Sequence, residues 1–73
     1  MQRSEQGVIE AIKDLAAPYL KNQINESTML EDLDIQFADL NCAIAGGIGV
    51  IVSERDFEAF RTVGDVVEFC LAQ

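Results

Sequence analysis

An all-α fold in one small domain, residues 1–73, is what three features of the sequence predict. Apolar residues recur at three- and four-residue intervals along most of the chain. Capping-type residues stand just before those runs. The β-branched stretch "GVIV" at 49–52 has no second strand-like run to pair with, and a lone strand is not stable in water.

The elements follow in order. Val8, Ile9, Ile12, Leu15, Ala16 and Tyr19 fall on one helical face. Ser4 precedes them as an N-cap. Pro18 cannot donate a backbone hydrogen bond and crowds the turn before it, so a first helix over about Glu5 to Leu20 should kink or stop near there. The polar segment 22–32, "NQINESTMLED", reads as a long connection that Ile24 and Leu30 would hold down by turning inward. A second helix over Ile35 to Ala45 sets Phe37, Leu40 and Ile44 on one side, with Ile48 a turn further and Asp34 as its cap. Gly46, Gly47 and Gly49 should weaken and end it, leaving "GVIV" as an extended, buried connector. Ser53 with Asp56 predicts a short third helix, and Thr62 with Asp65 a longer fourth. In the fourth, Val63, Val66, Val67, Cys70 and Leu71 form the inward stripe, while Asp65 and Glu68, like Glu58 of the third, face water. The sum is three longer helices and one short one.

Composition narrows the function. Thirteen acidic against five basic residues give a formal net charge of -8. Such a chain is ill suited to nucleic acid or to an anionic membrane surface, where basic groups supply the affinity. Its expected partner is a protein with a basic patch, met as a monomer through electrostatic steering. There is no histidine, so the usual general base and commonest metal ligand are missing, and an enzyme is not expected. The most apolar window, Cys42 to Val52, is too short and too glycine-rich to cross a membrane. "MQRSEQG" lacks the charged-then-apolar pattern of an export signal, so a cytoplasmic location is expected. Cys42 and Cys70 form no Cys-x-x-Cys pair and read as buried small hydrophobes.

The order of these elements, with "VIEAIKDLAAPYL", "STMLEDL" and "GVIVSERDFEAFRTVGDVVEF" within it, resembles the acyl carrier protein family from about Val8 to Phe69. The Thr-Val-x-Asp-Val-Val pattern at Thr62 to Val67 carries the likeness furthest. The resemblance implies a four-helix bundle with a long first loop and a short third helix. It also implies a 4'-phosphopantetheine arm on a serine at the start of helix two, holding acyl groups as thioesters. The family's Asp-Leu-Gly-x-Asp-Ser-Leu stretch is where this sequence departs, reading "EDLDIQFADL". Matching "EDL" forward puts Phe37 in the serine's place and polar Asn41 where the family is apolar. Matching "GVIV" backward puts Asp34 there. Both flanks fit together if about three residues are missing between Ile35 and Gln36. In every register the serine-equivalent position lies among Asp34, Ile35, Gln36 and Phe37, none of which has a hydroxyl. No cofactor is therefore expected.

Other chemistry is weaker. Ser27 is an unmotivated alternative attachment point, and Cys42 as a substitute acyl thiol lacks a mobile arm. Asp32, Asp34 and Gln36 imitate the start of a calcium loop, but Phe37 stands at the turn glycine's place and Ala43 at the closing glutamate's. "GGIG" follows an apparent helix instead of a strand, against a phosphate-cradling loop. Glu31, Asp32, Asp34 and Asp39 gather about the start of helix two, as a solvated face or as catalytic acids. The resemblance makes them a docking surface for fatty-acid or polyketide synthases and transferases. The expected function is a carrier-like docking domain. An active carrier with its arm at an undisplayed site, or an unrelated helical adaptor, are the rivals.

Overall fold

The computed structural model describes residues 4–16 and 18–73. It is all-α: among the described residues there is no β-strand, only one isolated bridge between Met29 and Thr62. In chain order the elements are α1 (Glu5–Lys13), a 3-10 helix (Pro18–Gln23), α2 (Leu30–Leu33), α3 (Phe37–Gly47), α4 (Glu54–Ala59) and α5 (Val63–Leu71).

α1 starts as the sequence predicts, with the Ser4 hydroxyl accepting the Gly7 N–H at 3.0 Å. It stops at Lys13, earlier than the expected Leu20, and residues up to Ala16 continue with tighter i to i+3 bonds. Pro18 has no backbone N–H for a continuing α-helix, in keeping with the early stop. Ala17, inside the expected helix, lies outside the described residues. Tyr19, assigned to the inward face, is 78% exposed because it sits on the 3-10 helix, out of phase with α1. The expected loop over 22–32 is thus ordered at both ends by short helical pieces, and Ile24 and Leu30 are buried as predicted.

Asp34 does not cap α3. It takes a left-handed conformation (φ 53°, ψ 41°) as the residue that ends α2, a conformation Asp tolerates better than most. Gln36 occupies the N-cap position with no side-chain hydrogen bond, and α3 begins at Phe37, two residues later than expected. α3 also runs through Gly46 and Gly47, then ends where Gly49 turns left-handed at φ 83°. The connector is extended, with Val50 and Val52 buried and Ile51 turned out to water, as strand-like alternation requires.

α4 and α5 each open with a complete capping box, Ser53 with Asp56 and Thr62 with Asp65. α1 lies against both α3 and α5. Val8 and Ile12, Leu40 and Ile44, and Val63, Val66 and Cys70 from these three helices fill the centre with Val52. Leu71, expected inside, is half exposed at the end of α5. Cys70 is buried, but Cys42 is exposed on the outer side of α3, contrary to expectation. α4 differs from the rest in having no fully buried residue. It is held by aromatic contacts instead. Phe57 meets Phe37 of α3 at 5.6 Å between ring centroids, and Phe60, just beyond α4, meets Phe69 of α5 at 5.4 Å.

Candidate functional site

Residues 26–30 and 61–64 run antiparallel and clasp each other through the main chain. The Leu30 N–H donates to the Arg61 carbonyl at 2.8 Å, Val63 to Thr28 at 2.9 Å and Gly64 to Glu26 at 2.9 Å. Gly64 suits this approach, because a Cβ there would stand 3.1 Å from the Glu26 carbonyl oxygen. The clasp sets α2 beside the α4–α5 junction.

Between α2 and α4 it leaves an open groove of about 350 Å3, lined by Leu30, Glu31, Asp34, Ile35, Phe57, Glu58 and Phe60. Its apolar residues are Leu30, Ile35 and the two phenylalanines, and its charged residues are all acidic. Among the described residues, no hydrogen bond or ion pair engages the side chains of Glu31, Asp34 or Glu58. Lys13 instead pairs with Glu10 on α1, at 3.7 Å.

The four carboxylates singled out from sequence are therefore divided. Glu31 and Asp34 line the groove, whereas Asp32 and Asp39 are exposed outside its lining. Glu58, Phe57 and Phe60 belong to the groove and were not in that set. Their sequence signal was the short third helix, whose water-facing Glu58 and flanking phenylalanines are three residues or fewer apart.

At the α2–α3 junction, Asp34 is exposed, Ile35 half-buried, Gln36 exposed and Phe37 half-buried against Phe57. These residues offer a carboxylate, an alkyl group, an amide and a phenyl ring, so an arm joined through a phosphodiester finds no alcohol oxygen there. Most of the serine and threonine hydroxyls described are engaged in caps and turns. Ser53 donates to the Asp56 carboxylate at 2.8 Å, Thr62 accepts from the Asp65 N–H at 3.2 Å, and Thr28 accepts from the Asn25 N–H at 2.9 Å. Ser27 is exposed and lines a different hollow with Glu5, Ile9, Lys13 and Ile24.

Polar Asn41 has a structural use that sequence reasoning missed. Its side-chain oxygen accepts the Val52 N–H at 3.0 Å, tying α3 to the connector.

Two carboxyls are shifted. Asp65 is held below the ordinary carboxylate range by the N–H groups of Arg61 and Thr62, which it accepts at 2.9 and 3.1 Å. It is thus a structural anchor, more than the water-facing charge expected. Glu26 is pushed up, first by a hydrogen bond shared with the Glu5 carboxyl and then by that neighbour's charge. Among the described residues, no three His, Cys, Asp or Glu side chains gather in a metal-holding group.

The chain matches no family model, no curated protein and no solved structure.

Proposed function

We propose that the protein is a carrier-like docking domain that acts by surface contact and bears no covalent arm. The observation that carries this reading is the start of α3. The helix begins at Phe37, the residue that the forward "EDL" register sets in the serine's place, and residues 34–37 contain no alcohol. That register also assigns polar Asn41 to an apolar family position, and the hydrogen bond to Val52 supplies a local reason for the exchange. The order among the described residues has five α-helices in place of the four expected, with α1, α3 and α5 long and both α2 and α4 short, and its all-α class supports the reading.

Docking draws on the exposed carboxylates Glu31, Asp32, Asp34 and Asp39 and on the net charge of -8. Exposed ion pairs contribute only about 0.2–1 kcal/mol each. A surface of this kind therefore acts mainly by speeding encounter with basic patches on carrier-dependent synthases or transferases.

Incubation with a phosphopantetheinyl transferase and coenzyme A tests the absence of an arm. The intact mass should stay at 8.0 kDa. A gain of one phosphopantetheine, mapped to a peptide containing Ser27, would establish the active-carrier alternative. Binding to a carrier-dependent synthase should weaken when the four carboxylates are replaced by their amides. No binding to any such enzyme would leave the unrelated helical adaptor.

A further inference from the structure

We infer that the groove between α2 and α4 receives a bulky apolar side chain carried on a lysine- or arginine-rich segment of a partner protein. This rests on the docking reading and narrows it from a charged face to one socket. The apolar part of the lining is Leu30, Ile35, Phe57 and Phe60, a surface whose burial is favourable and is not weakened by charge screening. The charged part is Glu31, Asp34 and Glu58, and none of the three has a cationic neighbour bound to it among the described residues. Arg61 lies at one end, in a smaller hollow that shares Glu31 and Phe60 with the groove.

Three carboxylates around an apolar depression repel an anionic ligand and leave uncharged apolar ligands without orientation. A cationic segment with one apolar anchor satisfies both parts at once. The carboxylates steer and orient it, and the anchor leaves water. At about 350 Å3 the groove is near the lower limit for small-ligand pockets and is open to solvent, which suits a side chain or two.

The probe is a peptide of roughly 15 residues, long enough for a marginal helix, made of lysine and alanine with one central phenylalanine. Titration into the labelled protein should shift the amide resonances of Ile35, Phe57 and Phe60. Glu31→Gln/Asp34→Asn/Glu58→Gln should weaken binding by about tenfold. Glu10→Gln/Glu54→Gln/Glu68→Gln, with the same change in net charge at exposed acids outside both the groove and the four docking carboxylates, should weaken it by less than about twofold. Thermal unfolding of both triple variants checks that each is folded, and Asn at position 34 keeps the left-handed turn accessible.

Equal losses in the two variants would overturn the proposal, as diffuse charge attraction would then explain the binding. So would undiminished binding of a peptide with serine in place of phenylalanine. Shifts from decanol but none from the peptide would make the groove an alkyl-chain site and overturn it as well. Loss of synthase docking on neutralising Asp32 and Asp39, with the peptide indifferent to the groove, refutes this inference and leaves the docking reading intact. Groove-specific peptide binding without any synthase binding does the reverse.

Discussion

Asn41 accepts the N–H of Val52, a residue 1% exposed to solvent, so no water is at hand to replace that acceptor. A buried donor left without a partner costs about 1–3 kcal/mol. Asn41→Ala should lower unfolding stability by that amount in urea titration, and Asn41→Asp, which keeps an acceptor oxygen, should lose less. The two shifted carboxyls predict opposite pH effects. Asp65 titrates below its ordinary 3.8 when folded, so its stabilisation is complete above that value and is lost as pH falls through the folded one. Asp65→Asn should lower the melting temperature at neutral pH, with the deficit shrinking in acid. Glu26 titrates above its ordinary 4.5 beside Glu5, so the folded state is favoured when it is protonated and penalised as pH rises through that window. Glu26→Gln should raise the melting temperature at neutral pH and leave it nearly unchanged at about pH 3. Residue-level burial was readable for Val8, Ile12, Leu40 and Val66 because helical spacing dictates it. It failed at Tyr19, Leu71 and Cys42, where a helix ends, changes pitch or presents its outer face.

Helices α4 and α5 begin with the same device but rest on different foundations. α5 contributes Val63, Val66, Val67 and Cys70 to the core, whereas α4 contributes no fully buried side chain. Removing an N-cap hydroxyl typically costs about 1 kcal/mol. Thr62→Ala should therefore lower global stability by about that much in a denaturant titration. Ser53→Ala should act mainly on α4, accelerating amide exchange at Phe57 to Phe60 while exchange in α1 and α5 changes little. Both caps were legible because a hydroxyl and an acid three residues apart fix a helix start locally. The beginning of α3 was not, although Asp34 precedes an apolar run. The bond from Leu30 to Arg61, about thirty residues away in sequence, fixes α2, and α2 ends by turning Asp34 left-handed. Long-range pairing of that sort leaves no periodic trace in "NESTMLED". The 3-10 helix was likewise hidden, since its six residues are too few to display a repeat.

At the scale of the whole molecule, the excess of acidic groups reaches any partner before side chains touch. Association with a basic partner should slow as salt rises and the screening length shrinks from about 10 Å at 0.1 M to about 3 Å at 1 M. Stopped-flow association rates at several salt concentrations would show it, with dissociation rates changing less. The proposed basic partner is motivated by composition alone. The groove itself was not legible in the sequence, because Glu58 and Glu31 are 27 positions apart and meet across a boundary that only tertiary structure creates. That boundary is framed by amides and carbonyls of residues 26–30 and 61–64. A frame built from peptide groups survives changes in most of the side chains it carries. The recess is thus a mount with exchangeable fittings: replacing Glu31 and Glu58 by lysine, with Asp34→Asn to keep the left-handed turn, should retarget it to acidic partners without remaking the scaffold underneath.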